Sequence, residues 1–505
     1  MVGEVSLREG PEPKRTLAHR AAAMIVGAAV ASLSGCAADI TPRTTLVAPG
    51  ERDAGANISE AARAARAAQA IDTAGWWKAY GDPQLDTLIA RATQSAPSMT
   101  LAVARVEQAQ AELGAVSSGD LPSLNGNGGA LIEHFPDHYT YSSQYAGRGG
   151  SEGRLTLDAQ YRLDFWGKRR EAKAAAQERL RAAQAEQADA RLLLQTAIVE
   201  AYVGLDIAYK VRDIATNALS RRHGVVDLLK LRAKSGLATD IDAVQAREAI
   251  TETRSEIQRL TGEIARRRNQ LAALAGEGPA FGEQLARPAL ANLADPAPLS
   301  PIPATLLGYR PDLTVARANA EAAMHEIGVA KAAFYPDIDL MAFAGFKSLD
   351  VGQLLRPGST ALGFGPAITL PIFEGGLLQS NLKRRTAQYD AAVSIYNQTV
   401  ATALSQVADG IVTLRAEHAR KLDADEALAH WQRVVGLQQE RERQGLSSKL
   451  DRIATETALL LSERRAAEQD ARIALAQTAL IRALGGAWSP SRPHSDHTTP
   501  SIDHE

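Results

Sequence analysis

The sequence predicts an α+β membrane protein in which a few membrane-spanning β-strands continue into very long α-helices. Three observations predict this fold class. The N-terminal region has the pattern of an export signal, four short segments alternate apolar and polar residues, and two long proline-free tracts have a helical period. The strands and the tracts recur in the same order in both halves of the chain. We therefore expect two tandem structural repeats.

The composition excludes several classes of protein. The chain has 505 residues, enough for two or three domains, and a net charge of −2, which offers no global attraction to nucleic acid. Its single cysteine excludes an intrachain disulfide framework and a cysteine-rich metal site. A mean hydropathy of −0.18 excludes a polytopic helical membrane protein. It is compatible with a β-barrel, in which about half of the strand residues are polar.

Residues 1–35 have the features of a secretory signal. An apolar run at 21–33, too short to span a bilayer, follows the basic residues Lys14, Arg15 and Arg20. The run ends in Leu33-Ser34-Gly35-Cys36, which resembles a bacterial lipobox, and Cys36 is the only cysteine. We expect Cys36 to be lipidated and to become the mature N-terminus, and Ala37 favours sorting to the outer membrane. A plain secretory signal with a chance cysteine is the alternative.

Three landmarks recur along the chain. Gly236-Leu237 recurs as Gly445-Leu446 after 209 residues, Phe165 as Phe373 after 208, and Pro122 as Pro336 after 214. Landmarks in one order at nearly one offset indicate a tandem duplication. Each half is expected to contain a helix, two strands and a long helical hairpin. The expected borders are a lipoprotein signal peptide at 1–35, a lipidated N-terminal segment at 36–83, repeats at 84–300 and 301–488, and a disordered tail at 489–505.

Each repeat contains a tract of 67 residues that predicts one long helix, from Lys168 to Lys234 and from Leu377 to Arg443. A rise of 1.5 Å per residue gives each helix a length of about 100 Å, which favours a coiled-coil or tube architecture. In the second tract, apolar residues step by three and four, close to the 3.5-residue period of a coiled-coil seam. These residues are Tyr389, Val393, Tyr396, Val400, Leu404, Val407, Ile411 and Leu414. The basic run at 266–268 is expected to be a solvated helix face.

The strand segments alternate with period two. One predicted apolar face consists of Leu155, Leu157, Ala159, Tyr161, Leu163 and Phe165, and the opposite face of Thr156, Asp158, Gln160, Arg162 and Asp164. Similar apolar faces occur at 338–346 and 364–372, and a weaker, glycine-rich strand at 124–132. Strands of roughly 9–11 residues match tilted membrane-spanning strands, apolar towards lipid and polar towards a wet lumen. A soluble sandwich with one buried face is the alternative.

Four strands cannot close a barrel, and open sheet edges are not tolerated in lipid. The chain is therefore expected to combine its strands with those of other copies of itself. Two copies would give eight strands and three would give twelve. The number of long helices favours three, because a wide tube needs helices from several chains.

Several segments together resemble the TolC-like outer membrane factors, in particular the NodT-type lipoproteins of RND efflux systems. They are Cys36 with its lipobox, Trp76-Trp77 with Asp82-Pro83-Gln84-Leu85-Asp86, Leu163-Asp164-Phe165-Trp166-Gly167-Lys168-Arg169-Arg170, Tyr309-Arg310-Pro311-Asp312, and Leu370-Pro371-Ile372-Phe373-Glu374-Gly375-Gly376. Their order and spacing are specific, and they span about residues 36–488. The resemblance implies a homotrimeric duct without enzymatic activity or cofactor, with a twelve-stranded barrel in the outer membrane of a Gram-negative bacterium and a helical tunnel in the periplasm. It also implies two partners, a periplasmic adaptor (membrane fusion protein) and an inner-membrane RND-type transporter, and the export of small molecules such as drugs.

The resemblance also implies roles for the two Gly-Leu segments at the tips of the helical hairpins. The positions that match the adaptor-docking region are Gly236, Leu237, Thr239, Gly445, Leu446 and Ser448. Asp451 matches one carboxylate of the family's periplasmic gate, and Asp242 is its counterpart in the first repeat. Ala454 replaces a second gate carboxylate. The alternative is that both aspartates simply stabilise the starts of the following helices.

The sequence contains no complete catalytic or metal-binding motif. His325-Glu326 begins like a zinc-protease motif, but Val329 stands where the second histidine is required. Glu133, His134 and His138 fall in a loop with Phe135, Tyr139 and Tyr141, which favours an aromatic belt at the membrane interface over a metal site. The remaining alternatives are a protein-secretion or metal-efflux duct with this architecture and, in another class, a periplasmic coiled-coil scaffold or adaptor.

Overall fold

The structure of the protein, a computed structural model, describes residues 40–48, 73–138, 142–291, 293 and 310–486. The signal peptide, the lipidation site Cys36, most of the segment 36–83, Tyr139, Tyr141, Tyr309 and the tail 489–505 lie outside the described residues. The helices are α1 (Pro83–Ser95), α2 (Pro97–Ser118), α3 (Lys168–Lys234), α4 (Asp240–Leu274), α5 (Pro279–Gln284), α6 (Pro311–Ala332), α7 (Leu377–Arg443) and α8 (Lys449–Ala483). The strands are β1 (Ser123–His134), β2 (Gly149–Leu163), β3 (Asp337–Ser348) and β4 (Thr360–Thr369), and short 3₁₀ segments occupy Thr73–Tyr80, Val351–Gln353 and Pro357–Ser359.

The two halves repeat the same elements with the same helix lengths. Helices α2 and α6 have 22 residues each, α3 and α7 have 67 each, and α4 and α8 have 35 each. The predicted α+β fold of two tandem repeats is confirmed, and the predicted bounds of both long helices are the observed ones.

The first helix of the first repeat is broken in two at Ala96. The predicted single helix is wrong here, because Pro97 disfavours the helical conformation of the residue before it. Ala96 is extended, with φ −63° and ψ 135°, and Pro97 opens α2.

The chain divides into two compact units. The first, called the strand unit, comprises the described residues of Gly119–Ala172 and Ala323–Asp390 and the described residues up to Arg43. The second, called the helix unit, comprises the described residues of Thr44–Ser118, of Lys173–Ala322 and from Ala391 onwards.

The strand unit contains one antiparallel sheet in the order β1-β2-β3-β4. Leu157 pairs with Ala344, and Ala344 pairs with Leu362, so the apolar faces of neighbouring strands form one continuous surface. Many side chains on this surface are exposed, among them Leu124, Ile132, Leu157, Leu362, Phe364 and Ile368. An exposed apolar sheet face of this extent is typical of a surface that contacts lipid or another protein.

The core of the helix unit lies along the predicted apolar seam. Val393, Val400 and Val407 of α7 are at most 1% exposed. Val400 and Val407 belong to one cluster with Leu313 of α6 and Leu480 of α8. A second cluster joins Trp76, Trp77 and Tyr80 to α1, the middle of α3, α4 and α8. Burying a side chain of this size contributes about 1.5–3 kcal/mol, so the seam holds the long helices together.

One residue of the basic run at 266–268 differs from the predicted solvated helix face. Arg268 is half-buried. Its guanidinium donates to the Leu285 carbonyl at 2.7 Å and lies over the Tyr209 ring.

Among the described helices, only α3 has a stretch long and apolar enough to cross a membrane, and 67% of that stretch is buried inside the protein. Packing in the core therefore accounts for its apolar character.

The assignment of the two sheet faces can be tested on β2. We expect Leu157→Arg to reduce insertion into membranes, because Leu157 lies on the predicted lipid-facing surface and a buried arginine costs about 2–4 kcal/mol near the bilayer midplane. Gln160→Arg, on the opposite face of β2, is the matched control and is expected to insert as the parent does. The measurement is the amount of heat-modifiable protein in the membrane fraction. Equal loss in both variants would show that the faces are assigned wrongly.

Candidate functional site

The two turns that join the long helices have the same backbone geometry. The first turn (residues 235–239) joins α3 to α4, and the second turn (residues 444–448) joins α7 to α8. Gly236 and Gly445 have φ of 70° and 72°, a conformation that is cheap only for glycine. The amides of Leu237 and Leu446 donate back to the helix ends at 2.8 Å. Both turns are therefore Schellman motifs.

Each turn leads into its second helix through a reciprocal capping box. In the first turn, the Thr239 amide donates to the Asp242 carboxylate at 2.9 Å, and the Asp242 amide donates to the Thr239 hydroxyl at 3.4 Å. In the second turn, Ser448 and Asp451 exchange the same bonds at 3.0 and 3.2 Å. Both aspartates therefore have the helix-start role that was the alternative to a gate role. A gate role stays a prediction, since a capping carboxylate still carries its charge.

The hydrogen bonds of the capping boxes lower the pKa of both aspartates. For Asp451, the Ser448 hydroxyl and amide and then the Ser447 hydroxyl and the charge of Arg232 hold the pKa below its ordinary value. For Asp242, the Thr239 amide and then its hydroxyl lower the pKa in the same way.

Of the six residues predicted to dock an adaptor, two present exposed apolar side chains. Leu237 is 70% exposed and Leu446 is 64% exposed. The hydroxyls of Thr239 and Ser448 are engaged in the capping boxes, and the glycines shape the turns. The surroundings of the two leucines differ. Near the first turn the apolar residues Leu231, Ile241 and Val244 are exposed among charged residues. The residues next to the second turn, at 440–443 and 449–452, are mostly charged.

A chain of ion pairs near the second turn was missed by the sequence reasoning. Glu456 of α8 is 6% exposed and pairs with Arg221 of α3 and, at 2.6 Å, with Arg452. Arg452 also reaches Glu442 at the end of α7, at 2.5 Å. The four residues connect three helices. The four-residue spacing of Arg452 and Glu456 is visible in the sequence, but Arg221 precedes Glu456 by 235 residues.

The predicted lumen face of the sheet carries paired charges. Arg154 contacts Asp158 at 3.0 Å, and Arg162 contacts Asp339 of the neighbouring strand at 2.8 Å. Thr156 lies between Arg154 and Asp158 and is 3% exposed. Its hydroxyl accepts a hydrogen bond from the Arg154 guanidinium and donates one to the Asp158 carboxylate. Asp164 does not lie on the strand, because β2 ends at Leu163 and the Asp164 carboxylate accepts from the Arg170 amide at the start of α3.

The motifs that carry the family resemblance form structural junctions. In the strand unit, Trp166 stacks on Tyr335 at 4.7 Å and donates to the Pro336 carbonyl. In the helix unit, the Asp82 carboxylate caps α1 and accepts from the buried Tyr202 hydroxyl at 2.7 Å. Arg310 contacts Asp312 at 2.7 Å and donates to the Ala483 carbonyl. These motif residues make structural contacts within each unit. The candidate functional surfaces are therefore the two turns.

The loop between β1 and β2 corrects one expectation. Phe135 is 1% exposed and packs edge-to-face with Tyr145, so it is not part of an interfacial aromatic belt. Its burial follows from the loop closing over it, with Gly150 close to its ring.

The residues that resemble a metal-binding motif have other partners. The His325 ring contacts the Glu171 carboxylate at 2.7 Å, and Glu326 forms an ion pair with Arg385 at 3.2 Å. Within the described part of the chain, no group of three or more His, Cys, Asp or Glu side chains is arranged to hold a metal ion.

Comparison with known proteins identifies a protein family whose model matches most of the chain. The family model described as outer membrane efflux protein matches residues 88–277 and 302–486. The chain is similar to the fusaric acid resistance protein FusA of Burkholderia cepacia, with 38% identity over 383 residues, covering 74% of this chain and 70% of FusA. It is also similar to the multidrug resistance outer membrane protein MdtP of Escherichia coli K12, with 30% identity over 435 residues, covering 82% of this chain and 86% of MdtP.

A solved structure shows the same fold. The outer membrane protein VceC of Vibrio cholerae superposes with a TM-score of 0.75 and 34% identity, covering 82% of this chain and 99% of VceC.

The positive φ of Gly445 predicts a position-specific sensitivity to substitution. We expect Gly445→Val to destabilise the second turn, because a left-handed conformation costs about 1–2 kcal/mol for a residue with a side chain. Gly436→Val in α7 is the matched control, since neither glycine has a neighbour within 4 Å of an added Cβ. Hydrogen exchange at the end of α7 should accelerate only in Gly445→Val. Equal exchange in the two variants would contradict the role assigned to the left-handed turn.

The lowered pKa values predict how the turns respond to pH. A carboxylate whose pKa is depressed by folding stabilises the folded turn above its unfolded pKa, and this contribution is lost as pH falls through the folded pKa. With an ordinary value of 3.8, we expect turn protection in hydrogen exchange to be unchanged between about pH 7 and pH 5 and to fall only below about pH 4. In Asp451→Asn, the second turn should lose this acid sensitivity. Loss of protection in the parent above pH 5 would contradict the assignment.

Proposed function

Because the chain belongs to the outer membrane efflux protein family, it is an outer-membrane efflux channel that extends into the periplasm of a Gram-negative bacterium, and we propose that it acts as a homotrimer. The observation that carries the trimer is the open four-stranded sheet. Among the described strands, β1 and β4 each pair on one side only, and one sheet face is apolar and exposed. Three copies would pair these edges into twelve strands and leave no open edge in lipid.

The partners that we propose are a periplasmic adaptor (membrane fusion protein) and an inner-membrane RND-type transporter. The exposed Leu237 and Leu446 at the two turns support adaptor docking, because exposed apolar side chains on rigid turns are suited to a protein contact. Passage along such a duct needs no catalytic group, and we propose none. The cargo we propose is small organic molecules such as drugs, since the relatives are named for resistance to fusaric acid and to multiple drugs.

We also propose that Cys36 is the lipidated N-terminus of the mature chain and that residues 1–35 are its signal peptide. The proposed segment borders that follow are 36–83, 84–300, 301–488 and 489–505. We also propose that Asp451 and Asp242 give the closed tip of the channel its charge, since both carboxylates are ionised at neutral pH.

Docking can be tested by photo-cross-linking from the turns. A photoreactive residue in place of Leu446 or Leu237 is expected to capture the adaptor in cells. Leu422 is the matched control, because it is 72% exposed on the same helix as the second turn and lies about 36 Å from Leu446 along α7. Leu446→Asp should also increase drug sensitivity in a strain that depends on this channel, while Leu422→Asp should not. Capture from Leu422 as efficient as from Leu446 would place the docking surface elsewhere.

The gate role of Asp451 can be separated from its capping role. Asp451→Ala removes one charge per chain, three per trimer, and is expected to reduce the cation preference of the channel in planar bilayers. Ser448→Ala breaks the capping box but keeps the charge, so it should retain the cation preference. Asp423→Ala removes an exposed charge from α7 away from the turn and is the second control. If ion selectivity changes in Ser448→Ala as much as in Asp451→Ala, Asp451 acts only as a helix cap.

A further inference from the structure

The apolar face of the sheet contains a hollow of about 370 Å³. Two small residues that are paired across β2 and β3, Ala159 and Ala342, line it. Larger apolar side chains flank them, with Tyr161 and Leu340 on one side and Phe364 and Pro366 on β4. Phe364 is 94% exposed, so it stands out from the sheet beside the hollow. Its shape and chemistry fit a hydrocarbon chain.

The described N-terminal residues run alongside α7. The Arg43 amide donates to the Asp390 carboxylate at 2.9 Å, within the strand unit. Further on, the Val47 amide donates to the Asn397 side chain at 3.0 Å, and Asn397 donates to the Thr45 carbonyl at 3.0 Å. Residue numbers rise in the same direction in both segments. Going back from Arg43 therefore leads towards the start of α7 and the end of β4.

The distances allow Cys36 to reach the edge of the sheet. Cys36 precedes Arg43 by seven residues, a reach of up to about 24 Å. The helix from Asp390 back to Leu377 covers about 20 Å. From Thr369, the end of β4, Pro366 and Phe364 lie about 10 and 17 Å along the strand. One leaflet of the hydrocarbon core is about 15 Å deep, so an acyl chain entering the leaflet beside β4 passes the hollow.

We propose that this hollow is the binding site for an acyl chain carried by Cys36. The proposal rests on the proposed lipidation of Cys36 and adds a defined seat for the lipid on the protein. The hydrogen bonds of Arg43 and Val47 hold the N-terminal segment on α7, and the hollow then holds the lipid end. The anchor thus contacts the sheet of its own chain as well as the bilayer.

The test is photo-cross-linking in outer membranes with p-benzoylphenylalanine, an aromatic residue that replaces phenylalanine with little change in shape. It is placed at Phe364, beside the hollow, and in a matched variant at Phe343, which lies on the opposite face of the adjacent strand. Mass spectrometry identifies the cross-linked product as the lipidated N-terminal peptide or as a phospholipid, and it reports the modification of Cys36. Ala342→Leu, combined with the probe at 364, fills the hollow.

We expect the lipidated N-terminal peptide to cross-link to position 364 and not to position 343. Filling the hollow should lower this product roughly tenfold, the change that 1.4 kcal/mol produces in an equilibrium constant. A lipidated Cys36 with only phospholipid captured at 364, or with capture unchanged by Ala342→Leu, overturns the seat and leaves the proposed anchor intact. An unmodified Cys36 overturns both.

Discussion

A backbone N–H or C=O group in hydrocarbon must find a hydrogen-bond partner, and this requirement shapes the strand unit. Four antiparallel strands satisfy one another internally, but β1 and β4 each have one unpaired side within the described chain. In water such edges would be solvated, whereas in lipid each unpaired group costs several kcal/mol. In lipid, the open edges of β1 and β4 would need partners from outside the described chain, and this need comes from the backbone and not from particular side chains. The alternation of side chains gives the sheet one apolar face and one face with paired charges.

The helix unit meets a different requirement, since helices about 100 Å long gain little stability from their local sequence alone. Their apolar seam provides the packing. The seam residues Val393 and Val400 and the small Ala403 next to the seam are at most 1% exposed, as close packing of helices requires. The turns must then reverse the chain in five residues without leaving helix ends unsatisfied. A left-handed glycine satisfies the end of one helix, and a capping box satisfies the start of the next.

The sequence predicts most of this arrangement because the relevant signals are local. The observed bounds of α3 and α7 agree with the prediction, and each of the four predicted strands is present. The strand bounds differ, because β2 covers Gly149–Leu163 and β4 covers Thr360–Thr369 where the alternation predicted 155–165 and 364–372. What it does not predict depends on partners distant in the chain. The burial of Glu456 requires Arg221, and the burial of Phe135 requires a loop that closes over it. Asp164 alternates correctly with its neighbours, yet it leaves the strand because the first turn of α3 offers an unpaired amide. The break between α1 and α2 at Ala96, in contrast, is predictable from Pro97 alone.

The duplication separates what is structural in the turns from what is functional. Both turns retain the same glycine conformation, the same capping box and the same helix lengths, so these features are what any such hairpin needs. The side chains around them have diverged. The first turn is flanked by exposed apolar residues such as Leu231 and Ile241, and the second by the ion pairs of Arg452. A shared backbone with different surfaces means that the two hairpins cannot make identical contacts with a partner. Each turn still presents one exposed leucine, Leu237 or Leu446, so the difference between the hairpins lies in the side chains that flank this leucine.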